Sequence, residues 1–148
     1  MPGIIVGIDG SDNAKKALEW AMKEAAVRRV PLTVLTVHPE AMGAWGLRPI
    51  SYPADQEEQD RARQAAEEAV QKTISQLDAE SRPESVTVQA VSGIAADELI
   101  KASADGDLLV VGSRGHGGFA RLMMGSVSTQ VSHHAVCPVV IVPSERHP

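Results

Sequence analysis

Short runs of β-branched and aliphatic residues recur at Ile4 to Ile8, Leu32 to Val37, Val86 to Val91, Leu108 to Val111 and Pro138 to Val142, with stretches of helical periodicity between them. Strict alternation of strand and helix signals restricts a chain to α/β architectures, because each crossover helix must return the chain parallel to the strand it left. The runs are nearly continuous in hydrophobicity, which predicts strands buried on both faces. Ala14, Ala17, Leu18, Ala21 and Ala25 form an apolar stripe after the cap-like Ser11-Asp12-Asn13, and Pro31 closes that segment. Ala62, Ala65, Ala66, Ala69, Val70, Ile74 and Leu77 form a second stripe in a charged segment that stops before Pro83. Shorter helices are predicted from Ala95 to Ser103, after the break at Gly93, and from about Ser126 to His134. The expectation is one α/β domain over residues 1–148, a doubly wound five-stranded parallel sheet in the order 3-2-1-4-5 flanked by about four helices. In such a sheet the order reverses between strands one and four. The loops after Ile8 and Val111 are therefore the predicted walls of a ligand crevice.

Composition fits this reading. The 148 residues are 43% hydrophobic and only 3% aromatic, so the core must be built of aliphatic side chains. A formal net charge of −5 gives no broad positive field and argues against nucleic acid or an anionic membrane as partner. The longest apolar runs, such as Cys137 to Val142, are far too short to span a bilayer, and the chain opens into Ile4-Ile5-Val6 without a leader pattern. These features predict a cytoplasmic protein. The single cysteine, Cys137, reads as a small buried hydrophobe.

Between strand four and the last helix the chain runs from Gly112 to Ser126 with glycines at 112, 115, 117, 118 and 125. Glycine permits close approach of backbone to a ligand, and the free N–H groups and dipole of the following helix attract phosphate oxygens. Ser126 and Ser128 are candidate hydroxyl donors. Glycine content alone fits a plain loop equally well, and placement at the switch point favours binding. No Gly-Lys-Ser/Thr follows, which excludes a Walker A loop, and the dinucleotide fingerprint belongs after the first strand.

The spacing Gly-x2-Gly-x9-Gly-Ser at Gly112, Gly115, Gly125 and Ser126 resembles the ATP-binding pattern of the universal stress protein family. The resemblance extends to Ile5-Val6-Gly7-Ile8-Asp9-Gly10-Ser11, Leu109-Val110-Val111-Gly112-Ser113, Gly125-Ser126-Val127-Ser128 and Cys137-Pro138-Val139. It implies an ATP-binding domain, often a homodimer, that acts in stress adaptation. By that resemblance Gly112 and Gly115 approach the ribose and phosphates, while Gly125, Ser126 and Val127 hold the phosphates. Asp9 then matches an aspartate near the ribose, and Val37 a position whose backbone meets adenine. A carboxylate suits ribose hydroxyls, and strand-end backbone suits an adenine edge. Magnesium would accompany ATP on its phosphate oxygens with little demand for protein ligands. The family often has proline where Ala95 stands, a change at a helix entry.

Arg114, His116 and Arg121 lie in the glycine segment and either offset phosphate charge or are solvated surface residues, the second reading being favoured for Arg114 and Arg121; His116 is the single nearby candidate base. The adjacent His133 and His134 point to different sides of a helix and suit its C-terminus rather than a metal. Glu40 to Tyr52, with Trp45, is either a lid near the adenine or a partner surface, or else a mobile loop with Trp45 tucked against the domain. The last strand, Val139 to Val142, falls at the sheet edge and is the predicted homodimer contact. The leading functional expectation is an ATP-dependent regulator or sensor in stress adaptation. The alternatives are a slow ATPase, or a module preferring AMP or cyclic AMP.

Overall fold

A computed structural model describes residues 3–10, 12–39, 53–113 and 125–143. Five strands, β1 (Ile4–Ile8), β2 (Leu32–Pro39), β3 (Val86–Gly93), β4 (Leu108–Gly112) and β5 (Val139–Val142), alternate with α1 (Asp12–Arg28), α2 (Pro53–Gln76), α3 (Ala95–Ser103) and α4 (Ser126–His134). All strand pairs are parallel and the order is β3-β2-β1-β4-β5, as the alternation requires. The expected spans of α3 and α4 coincide with the observed ones, and β2 and β3 each run two residues further than their apolar cores. A short 3-10 turn at Ala79–Ser81, not foreseen, leads from α2 toward β3.

Side chains alternate across a strand, so the central strands divide between two cores. Ile4, Val6, Leu32, Val34, Leu108 and Val110 face one way and meet Ala17, Leu18, Ala21, Met22 and Ala25 of α1 and Val70 of α2. Ile5, Leu35, Leu109 and Val111 face the other way and meet Leu99 of α3 and Val131 of α4. The alanine stripe of α1 is fully buried as its periodicity predicts, and Met22 joins it. In α2, Ala66, Val70 and Thr73 are buried, as is Leu77 just past its end, whereas Ala65 is exposed. The inward arc is thus narrower than the run of alanines suggests, and Thr73 sits in it by donating its hydroxyl to Ala69 O at 2.8 Å.

Burial on both faces holds for β1 and β4 but fails for β3. Val86, Val88 and Ala90 turn toward α1 and α2, while Thr87 and Gln89 are exposed on the other face. The cause is helix length: α1 and α2 have 17 and 24 residues, α3 and α4 only nine each. Two short helices cannot roof five strands, and the β2–β3 corner stays open. A cavity of about 170 Å³ lies there, at the amino end of the sheet, lined by Thr33, Leu35, Gln89 and Ala102 among others. The free edge of β3 is closed differently. Gln59 of α2 donates to Ala90 O at 2.7 Å and accepts from the Ser92 hydroxyl at 2.9 Å, so a side chain occupies the position of a pairing strand.

Helix α1 ends in a Schellman turn without glycine. Val30 N–H donates to Ala25 O at 3.1 Å and Arg29 N–H to Ala26 O at 3.3 Å, with Arg29 at φ 55°. A left-handed non-glycine residue costs about 1 kcal/mol, partly offset by the extra chain entropy that glycine brings to the unfolded state. Arg29→Gly is therefore expected to stabilise the fold by about 0.5 kcal/mol and raise Tm by roughly 1–2 °C. Thermal unfolding followed by circular dichroism checks this, and a lower Tm would refute it.

Candidate functional site

At the carboxyl end of the sheet the strands do not all end together. β1 pairs with β2 as far as Ile8↔Thr36, and β4 pairs with β5 as far as Gly112↔Val142. Between β1 and β4, however, the paired register stops at Val6↔Val110. The two central strands part company two residues early, each still held by its outer neighbour. A parallel sheet that opens at its order reversal makes a crevice there, with backbone groups of both strands on its walls.

Several of the residues singled out in the sequence lie at strand or helix ends. Asp9 follows the last residue of β1 and is exposed; Gly10 beside it has φ 83°, a left-handed turn that only glycine adopts without cost. Gly112 closes β4 on the other wall. Val37 lies one residue past the last β1–β2 pair, so its backbone on that side runs beyond the end of β1, while its half-buried side chain packs on the α3 and α4 core. Gly125, Ser126 and Val127 form the start of α4. Gly115, together with Arg114, His116 and Arg121, lies outside the described residues, as does the whole of Glu40–Tyr52.

What ties the start of α4 to the sheet is a backbone hydrogen bond from Gly125 to the end of β4, its N–H donating to Ser113 O at 2.6 Å. Ser113 N–H in turn donates to Val142 O at 2.9 Å. Gly125 has no side chain with which to cap the first-turn N–H groups, and no acidic residue occupies that turn. The partial positive charge of the helix start is thus not offset by a carboxylate of its own first turn. Ser126 is exposed there. Ser128, the other candidate hydroxyl donor, turns inward instead. It is buried, and its hydroxyl faces Ser113 O at 3.1 Å and Gly125 O at 3.0 Å. Its inward turn could not be read locally, because Ser113 lies in another element.

Other candidates find structural roles. His133 and His134 are exposed in the last turn of α4, as the dipole favours, and among the described residues no three His, Cys, Asp or Glu side chains gather to hold a metal. Cys137 is half-buried rather than fully buried; its thiol is pushed above its ordinary value by desolvation first and by the negative charge of Asp107 second. A raised thiol is a poor nucleophile, which agrees with its reading as a packing residue. Among the described residues no helix is long and apolar enough to cross a membrane.

A five-stranded parallel sheet in the order β3-β2-β1-β4-β5, opening where its order reverses and flanked by helices, defines a doubly wound α/β fold. The chain belongs to the universal stress protein family: the family model, described as "Universal stress protein family", matches residues 2–143. A universal stress protein of Mycobacterium tuberculosis is 35% identical over 143 residues, 97% of this chain and 48% of that relative. One from Mycolicibacterium smegmatis is 34% identical over 140 residues, 95% of this chain and 47% of the relative. The chain thus spans about half the length of these curated relatives. Among solved structures, universal stress protein UspA from Lactobacillus plantarum superposes with a TM-score of 0.73 at 25% identity, covering 95% of this chain and 97% of that one. A universal stress protein in complex with cAMP shares the fold at 0.67 and 23% identity, over 97% of this chain and 98% of that one. The Archaeoglobus fulgidus protein in complex with dAMP does so at 0.63 and 22%, over 96% and 98%.

Proposed function

We propose that this chain is an adenine-nucleotide-binding regulatory domain that takes ATP in the crevice between β1 and β4. The observation that carries the reading is the early parting of those strands after Val6↔Val110, with the uncapped start of α4 tied to the rim through Gly125 and Ser113. In this reading the Asp9 carboxylate accepts from ribose hydroxyls, and the Val37 backbone meets the adenine edge where β2 outruns β1. Gly112 and Gly115 line the path of ribose and phosphates. Gly125, Ser126 and Val127 supply N–H and hydroxyl donors to phosphate oxygens. Magnesium rides on the phosphates rather than on a protein cage. Two fold neighbours are complexes with cAMP and dAMP, which supports the nucleotide class and keeps AMP and cyclic AMP as the second reading.

The domain acts by binding, as one unit over its 148 residues, in the cytoplasm. Its described donors suit holding a phosphate. Hydrolysis would further need an oriented water and charge stabilisation at the leaving oxygen, so turnover is at most slow. Strand β5, the sheet edge opposite the Gln59-capped one, is the homodimer contact in this reading, and a monomer in gel filtration at micromolar concentration refutes it.

The deciding experiment is to denature freshly purified protein and identify released nucleotide by chromatography and mass spectrometry, followed by calorimetry with ATP, AMP and cyclic AMP in magnesium buffer. ATP released, or ATP bound more tightly than the other two, is the expected result. Preference for AMP or cyclic AMP moves the assignment to the second reading, and binding of none of the three removes both.

A further inference from the structure

We propose that Ser128 is a positioning residue for the phosphate end of this site: its hydroxyl clamps the first turn of α4 to the end of β4 and so fixes where the α4 N–H groups stand. The proposal rests on the nucleotide reading above. Serines in helices commonly bond back one turn, as Ser75 does to Lys72 O at 2.7 Å and Ser132 to Thr129 O at 2.8 Å. Ser128 does more than this. Besides facing Gly125 O one turn back at 3.0 Å, it reaches Ser113 O at 3.1 Å, fifteen residues earlier and in the segment that leaves β4.

Ser113 is thereby a junction. Its carbonyl receives Gly125 N–H and faces the Ser128 hydroxyl, and its N–H is spent on Val142 of β5. The helix start has no N-cap side chain to locate it, because Gly125 carries none. Its placement against the sheet then depends on these bonds, and Ser128 is only 2% exposed, so water cannot readily substitute for its hydroxyl. Losing that hydroxyl leaves Ser113 O still bonded to Gly125 and the Val131 anchor of α4 in its core, so the fold survives while the first turn gains freedom. The ligand groups that meet this turn are phosphates, whereas adenine and ribose meet β1 and β2. Removal of the hydroxyl must therefore weaken phosphate-bearing ligands selectively.

Calorimetric titration of ATP and of adenosine into wild type, Ser128→Ala, Ser128→Thr and Ser128→Val tests this, with amide exchange at Gly125 measured in parallel on ligand-free protein. Thr and Val are near-isosteres differing in the hydroxyl, so their difference isolates the hydrogen bond from packing. The expected result is about a tenfold loss of ATP affinity in Ser128→Ala with adenosine changed by less than about twofold, Ser128→Thr binding ATP better than Ser128→Val, and faster Gly125 exchange in the variants lacking the hydroxyl. Equal weakening of ATP and adenosine, or unchanged ATP affinity, overturns the positioning role while the nucleotide reading stands. If the wild type binds neither ligand, the nucleotide reading falls and the positioning role with it, and Gly125 exchange reports the clamp alone.

Discussion

Gly7→Val is expected to destabilise the fold by about 3 kcal/mol, a large loss for a single added side chain. Gly7 lies in β1 on the face that receives α3, and a Cβ built there would stand 2.8 Å from Leu99 Cδ2 and 3.1 Å from Leu99 Cδ1. The methyl groups of a leucine can sometimes swing aside. Leu99 is itself buried, among Ile5, Leu35, Leu109, Val111 and Val131, and has little space to do so. Alanine at position 7 should then cost about 1–2 kcal/mol, and valine more, because its two branches meet Leu99 from both sides. Against this stands the better strand propensity of valine, at most about 1 kcal/mol, which the clash outweighs. Urea unfolding with unchanged slope and a lower midpoint is the expected signature. The cause can be isolated by pairing the change with Leu99→Ala, which vacates the contested space. The double variant should be about 1–2 kcal/mol more stable than the sum of the singles, and strict additivity would refute the steric explanation.

Gly7 also shows where sequence reading stops. The run Ile4 to Ile8 announces a buried strand, and α3 announces itself by its break at Gly93 and its periodicity, so both elements and their order follow from the residues alone. That Gly7 and Leu99 touch is a tertiary fact, and one sequence contains no trace of it. β3 is an instructive failure of another sort. Val86-Thr87-Val88-Gln89-Ala90 does alternate apolar and polar residues, the mark of a strand covered on one face. Its β-branched composition masks this period, although the brevity of the predicted α3 already implies that two helices would leave a strand uncovered.

The site divides in the same way. Topology alone pointed to the loops after Ile8 and Val111, whereas the roles proposed for Asp9, Gly112, Gly125 and Ser126 came from the resemblance to the family. Three features were not legible: the parting of β1 from β4 after Val6↔Val110, the dependence of the α4 start on Ser113, and the inward turn of Ser128. Each depends on distances between elements far apart in sequence. Serine at the start of a helix reads as a free hydroxyl until the carbonyl that captures it is seen.

Gly125→Val should reduce ATP affinity by at least about a hundredfold, roughly 2.7 kcal/mol, while costing less than about 1 kcal/mol of stability. The separation of the two effects follows from the backbone. Gly125 has φ −63° and ψ 161°, an extended, polyproline-like conformation open to any residue, so glycine is not needed there to make the turn. Gly10, at φ 83°, is the opposite case, where any side chain strains the fold before a ligand is considered. If conformation does not demand glycine at the start of α4, close approach is the remaining physical reason for it, and a valine would stand between the first-turn N–H groups and an incoming phosphate. Gly125→Ser sharpens the test. A serine N-cap can accept from the same N–H groups that phosphate would use, so it should leave the helix as stable or slightly more stable and still weaken ATP. Affinity and stability would then move in opposite directions at one residue, which general damage to the fold cannot produce. Wild-type ATP binding by both Gly125 variants would show that the α4 start does not meet the phosphates, and would shift the search to the β1 wall around Asp9 and Gly10.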